Sequence, residues 1–168
     1  MQAFGEPLIH FPVLDSTNLE AWRIIASGHG SHGYCITAAY QTRGKGQGES
    51  RWHSNAGQNL CISYIVCQGG IRAADQFLVN ICVSLALLDS LPSFLSKVPV
   101  KLKWPNDLYA GYRKLGGILI EHSVMGEQIS HTVAGVGLNV NQTEFPEELP
   151  NPVSLALLGA GPDRKRHV

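Results

Sequence analysis

Two apolar runs, KLGGILIEHSV at 114–124 and QISHTVAGVGLNVN at 128–141, flank the short turn MGEQ. Apolar, β-branched runs bounded by turn residues read as strands. A turn this short requires the two to pair antiparallel. Both runs are thinned from inside, by Gly116 and Gly117 in the first and by Gly135 and Gly137 in the second. Glycine weakens a strand, and inside one it often marks the close approach of a ligand or a second backbone. The chain therefore has to fold around a sheet with bare patches on it.

The remaining pattern supplies the rest of that sheet. LIHFPV (8–13), YCITAAYQ (34–41), NLCISYIVC (59–67) and VKLKW (100–104, ending at Pro105) read as strands. LDSTNLEAWRIIASG reads as a helix capped by Ser16 or Thr17, with Leu19, Trp22, Ile25 and Ala26 as its apolar stripe and Gly28 as its stop. Phe77, Ile81, Leu85 and Leu88 give helical spacing over 72–91, expected to be a long, mostly buried helix. FPEELPNPVS reads as irregular, and SLALLGAG begins a helix at most. The expected class is α+β, a mixed, largely antiparallel sheet with helices packed on one face and the glycine-rich segments gathered at one edge. One domain over 1–158 is expected, followed by a polar, basic, disordered tail at 159–168.

Hydrophobic residues make up 44% and charged residues 15%, which argues against general disorder. A formal net charge of zero opposes wholesale nucleic-acid binding. Cys35, Cys61, Cys67 and Cys82 form no CxxC pair and read as buried, reduced thiols of a cytoplasmic protein. FLVNICVSLALLDSL is expected to be too short for a membrane span and contains Asn80, and no signal peptide is read at the N-terminus.

Three segments join the glycine-thinned strands as candidates for chemistry. YQTRGKGQGESRW (40–52) holds Gly44, Gly46 and Gly48 with Arg43, Lys45 and Arg51 and no aliphatic side chain. It matches neither a Walker loop nor a dinucleotide fingerprint. A solvated hairpin tip, a nucleic-acid contact and a flap over an anion all fit it; for the last, glycines let backbone N–H groups turn toward the ligand while Lys45 adds charge. Trp52 is either a core anchor or a lid on an aromatic ring. In KWPND (103–107), Lys103 ends an apolar strand and must snorkel or meet an anion. Asn106 and Asp107 present oxygens, and Asp107 either holds Mg²⁺ through water or caps the next turn. Lys114 beside Gly116 and Gly117 suggests a charged head aimed into a slot, and Asn139 offers a donor and an acceptor together.

The order DSTN, QTRGKG, KWPND, KLGGILIE, GVGLN resembles the catalytic domain of biotin protein ligases over about residues 8–158. That family shares its fold with lipoate ligases and the class II aminoacyl-tRNA synthetase core. The resemblance implies activation of biotin with ATP and Mg²⁺ to biotinyl-adenylate, then transfer to a lysine of a biotin carboxyl carrier domain of a biotin-dependent carboxylase. It implies Lys114 and Lys103 as catalytic residues. It gives the biotin to Ser16, Thr17, Asn18, Gln41, Gly44, Lys45, Gly46, Gln47, Lys114 and Gly117. It gives the nucleotide to Lys45, Trp52, Lys103, Asn106, Asp107 and Asn139, with Asp107 near the metal. The 40–52 loop becomes a flap whose closure excludes water from the mixed anhydride. The family commonly has GRGR here; Lys45 keeps a charge without arginine's fork, and Gln47 keeps none.

The resemblance also implies a chain without the N-terminal DNA-binding domain or the small C-terminal β domain of some relatives. No DNA or membrane partner is then expected, and pairing of two copies through the sheet is compatible with it. Two alternatives stand beside this reading: a lipoate or octanoate ligase of the same fold, and a biotin-binding module without ligase activity.

Overall fold

The computed structural model describes residues 5–67, 70–91 and 98–159. Seven strands form one sheet: β1 (Leu8–Leu14), β2 (Cys35–Gln41), β3 (Asn59–Cys67), β4 (Val100–Lys103), β5 (Asp107–Ala110), β6 (Arg113–Met125) and β7 (Gln128–Asn139). Their spatial order is β1-β2-β3-β7-β6-β5-β4. β1 and β2 are parallel, joined by the crossover helix α1 (Thr17–Ala26), and every other pair is antiparallel. The β6–β7 hairpin turns at Gly126, whose φ of 64° suits a residue without a Cβ.

Side-chain alternation sorts the core into two layers. On one face Ile36, Ile65 and Val133 close over Ala21 of α1, with Phe11, Trp22 and Ile25 around them. On the other face Tyr64, Val66, Ala134 and Val136 look toward α2 (Gln76–Ser90) across an apolar cavity of about 490 Å³. Leu108, Leu115 and Leu138 join Leu88 and Leu91 beside it. The helices therefore take opposite faces, not the one face expected from sequence. Adjacent residues Val133 and Ala134 serve different helices, which an apolar run buried on both sides cannot reveal.

Three further expectations change. The glycine pairs of β6 and β7 lie in the middle of the sheet, not at an edge, because β7 is the central strand. Asp107 caps no turn; it opens β5, a four-residue strand that sequence reading missed. α2 is not mostly buried: Phe77, Leu78 and Leu85 are each more than half exposed, and only Val79 and Ser84 are buried. The helix touches the sheet along one stripe, and nothing among the described residues covers its outer side.

Together with the 3-10 turn Ala73–Asp75, α2 makes an 18-residue helical run of mean hydropathy 1.3. By length and composition that is enough to cross a membrane, whereas sequence reading took the apolar stretch here as too short for one. Cys35 and Cys61 are buried and Cys67 partly so, but Cys82 on α2 is exposed; all four are free thiols. The expected tail falls outside the described residues from 160 onward.

Candidate active site

The N-terminus of α1 meets the sheet where the sheet is barest. Ser16, Thr17 and Asn18 are all buried. The expected cap is absent: Ser16 holds the N-cap position without a side-chain cap bond, and the Thr17 hydroxyl looks away toward β2. Thr17 donates its amide N–H to Gln41 Oε1 at 2.7 Å and its hydroxyl to the same oxygen at 3.2 Å. Ser63, fully buried on β3, shares its hydroxyl between Thr17 Oγ1 at 2.7 Å and Asn18 Oδ1 at 2.6 Å. Asn18 Nδ2 donates to Glu121 Oε2 at 2.8 Å. A Cβ on Gly135 would overlap the Asn18 carboxamide, so this glycine is what lets Asn18 sit flat on β7. The outcome is a polar wall in which Thr17, Asn18 and Gln41 are held by side-chain hydrogen bonds.

Residues 44–52 close the cleft as a small hairpin. Lys45 and Arg51 bridge, Gly46 N–H donates to Ser50 O at 2.8 Å, and Trp52 N–H to Gly44 O at 3.0 Å. The hairpin's root is tied to the end of β1: Thr42 N–H donates to Leu14 O and Arg43 N–H to Asp15 O. Asp15 also accepts Arg23 at 2.5 Å and Arg43 at 3.4 Å. The hydrogen bond from Arg23 holds the Asp15 carboxyl down at about 2. The Trp52 indole lies over Gly137, where any Cβ would overlap it, and beside Gly117. Its Nε1 is buried without a hydrogen-bond acceptor among the described residues.

At the opposite end Lys114 Nζ sits 2.7 Å from Asp107 Oδ1. Lys114's backbone is clamped by Asn151 O and Val153 N–H, and Asn106 is fixed to Ile118 through its backbone carbonyl and side-chain amide. Between the two ends runs one cleft. It is lined by Ser16, Thr17, Asn18, Gln41, Lys45 and Gly46 on the helix and hairpin side, and by Trp52, Asn106, Asp107, Lys114 and Gly117 on the other. Its free volume is about 70 Å³. Small-molecule pockets usually run to roughly 300–1,000 Å³, so the indole and the Lys45 hairpin fill most of this one.

Four residues expected in the site stand apart from the cleft. Lys103 is exposed one strand outward, its ammonium 5.1 Å from the centre of the Tyr109 ring. It pairs with Asp107 in register, so it shares Asp107's face of the sheet without reaching the cleft. Asn139 is buried and donates its amide to Val153 O at 3.0 Å, tying down the segment after β7. Gly44 is buried beneath the hairpin against Trp52, and Gln47 is exposed at the hairpin's tip.

Sequence reading gave no role to Ser63, Ser50 or Glu121. Glu121 was visible as a lone carboxylate ending the apolar run ILIE, which is the signal that could have found it. Burial raises its pKa, but hydrogen bonds from Lys45 and Asn18 outweigh this and hold it below the ordinary carboxylate value.

Fold and cleft define a mixed-sheet domain whose glycine floor lies between a fixed polar wall and a lysine–aspartate pair, under a hairpin lid. The profile of the Biotin/lipoate A/B protein ligase family matches residues 10–139, and the chain belongs to that family. It is 36% identical over 160 residues to the biotin–[acetyl-CoA-carboxylase] ligase of Mycobacterium tuberculosis, covering 90% of this chain and 56% of the relative. It is 32% identical to the bifunctional ligase/repressor BirA of Escherichia coli, covering 95% and 49%. Among solved structures, biotin protein ligase from Aquifex aeolicus in complex with biotin and ATP matches with a TM-score of 0.74 at 28% identity, covering 95% of this chain and 64% of that one. The Leishmania major enzyme in complex with biotin shares the fold, with a TM-score of 0.73 at 24% identity, covering 92% and 64%. The chain thus spans about half the length of the curated relatives it matches.

Proposed function

We propose that this domain activates biotin with ATP and passes the biotinyl group to a lysine of a biotin carboxyl carrier domain. The observation that carries the reading is a cleft with fixed hydrogen-bonding groups at one end and an ammonium at the other. Biotin has that polarity, a rigid polar ureido ring and a carboxylate tail. Ser16, Thr17, Asn18 and Gln41 take the ring, with Thr17 and Asn18 oriented by Ser63 and Asn18 also by Glu121. Lys114 takes the carboxylate and the α-phosphate.

The chemistry makes that ammonium necessary. A carboxylate oxygen attacks the α-phosphorus, the bond to the bridging oxygen of the β-phosphate breaks, and pyrophosphate leaves with its electrons. Two anions about 4 Å apart repel by roughly 4 kcal/mol at an effective dielectric near 20. A preorganised ammonium offsets this repulsion most where charge concentrates in the transition state. The acceptor lysine's neutral amine then attacks the acyl carbon, AMP departs, and the amine's proton is lost to solvent. The Trp52 hairpin shields the mixed anhydride from water.

Mg²⁺ fits a limited role. Among the described residues no three His, Cys, Asp or Glu side chains converge on a metal position. One oxygen of Asp107 is engaged by Lys114, leaving the other for a cation that arrives on the nucleotide's phosphates. Such an ion would add charge neutralisation at the phosphates.

Lys103 serves the outer phosphates from the rim, and Trp52 faces the adenine once displaced from Gly137. The partner is a carrier domain, and a cytoplasmic setting goes with the free thiols. Pairing of two copies through the sheet has a candidate edge: β5 pairs with β6 only as far as Gly117, so the outer edge of Leu119–Met125 has no strand partner among the described residues. No DNA-binding role is proposed.

ATP–pyrophosphate exchange with biotin, lipoate and octanoate in parallel tests the reading. Biotin-dependent exchange is expected. Exchange with lipoate or octanoate alone would reject the substrate, and tight biotin binding without exchange would leave a binding module.

A further inference from the structure

The closed cleft holds a conflict of charge. Lys45 and Arg51 are the hairpin's cations that line the cleft, and Lys45 Nζ sits 2.6 Å from Glu121 Oε1. The other oxygen of the same carboxylate accepts Asn18 Nδ2 at 2.8 Å and the Trp22 indole N–H at 3.3 Å. Glu121 is thus pinned from α1 on one side and holds the hairpin with the other. Asn18 belongs to the polar wall and Trp22 packs in the core layer beneath α1, so the carboxylate is a fixed seat and the lysine on the hairpin is the movable partner. While Lys45 stays seated and Trp52 lies on Gly137, about 70 Å³ of the cleft is free, well under the roughly 300–1,000 Å³ usual for a small-molecule pocket.

We infer that Glu121 is a positioning residue that latches the hairpin shut through Lys45, and that an anionic ligand enters by taking this lysine from it. An anion offers Lys45 a second seat of the same charge, so opening costs little when one is present. A neutral ligand of the same shape offers none and has to break the pair uncompensated. The latch therefore acts as a filter for negative charge, added to whatever Lys114 contributes. The ligand's identity rests on the proposed function; the latch itself does not.

Two measurements separate the two. The first uses the protein without ligand. Glu121→Gln keeps an oxygen for Asn18 but removes the ion pair, and limited proteolysis within residues 43–51 should speed up several-fold, as it should in Lys45→Met. Unchanged cleavage in both variants would overturn the latch.

The second is calorimetric binding of biotin and of biotinamide, its uncharged analogue. Glu121→Gln should tighten biotin and biotinamide alike, about three- to fivefold, the scale of a part-exposed ion pair, because either ligand then enters without breaking the pair. A gain for biotin alone would mean simple repulsion by Glu121 and would overturn the latch. In a Lys45→Met background both gains should vanish; gains that persist there would reduce Glu121 to a support for Asn18 and would also overturn the latch. If neither compound binds the unsubstituted protein, the proposed substrate fails, while the cleavage result still decides the latch.

Discussion

Gly117 on β6 pairs directly with Gly137 on β7, and the indole of Trp52 rests on the bare patch they leave. A Cβ at Gly137 would occupy the space of the indole ring. Gly137→Val should therefore lift Trp52 off the sheet. Overpacking of this kind costs about 1–3 kcal/mol, read as a lower denaturation midpoint with a red shift in tryptophan emission. A variant with unchanged emission would mean that the indole's seat is elsewhere.

Lys114→Ala should lower exchange by on the order of 10²–10³ while the circular dichroism spectrum is retained, the usual loss for one preorganised donor at a reacting centre. Asp107→Asn should cost less, since it leaves the ammonium in place and removes only its anchor. An alanine variant with full activity would take Lys114 out of the reaction.

Asp15 predicts an acid limb of stability. Its folded pKa is about 2, below the ordinary carboxylate value of 3.8, because Arg23 hydrogen-bonds the charged form. The unfolded chain thus binds this proton first. The Asp15 contribution is complete above about pH 4 and is lost as pH falls toward 2. Asp15→Asn should flatten the stability curve between those limits and leave its shape near neutrality unchanged. The same substitution removes the carboxylate that Arg43 meets at the root of the hairpin.

Ser63 holds two site residues with one hydroxyl, and Thr17 and Asn18 are both buried there. Ser63→Ala should cost about 1–3 kcal/mol in chemical denaturation, the penalty for stranding buried polar groups. Biotin binding should weaken with it. Ser63→Thr keeps the hydroxyl and should restore binding if the added methyl is accommodated.

What the sequence disclosed follows from the range of the interactions involved. Glycines at 116, 117, 135 and 137 announced a bare patch, since a gap in a strand is a local fact. The strand NLCISYIVC was read with the bounds Asn59–Cys67 because its apolar run and flanking polar residues are also local. β5 was missed because four residues after a proline carry too little pattern. The opposite placement of the helices was missed because β3 and β7 are buried on both faces. Ser63 and Glu121 were missed for a third reason: each acts on residues about 45 and 103 positions away in sequence, and nothing in either one's neighbourhood records that. Asn139 shows the converse, a polar residue inside a motif that packs as a strut.

Lys103 and Lys114 provide the sharpest test of how charge is shared at the phosphate end. Both neighbour Asp107, Lys103 as its register partner on β4 and Lys114 as its ion-pair partner on β6. Only Lys114 lines the cleft, whereas Lys103 stands in solvent against Tyr109. An exposed ammonium is screened and contributes little to a transition state, but it can still hold an outgoing phosphate. Lys103→Ala should thus raise KM for ATP a few-fold with kcat nearly unchanged, and the effect should fade at high salt. Lys114→Ala should instead lower kcat, with little salt dependence. Equal losses of kcat in both variants would mean that Lys103 swings into the cleft when nucleotide binds.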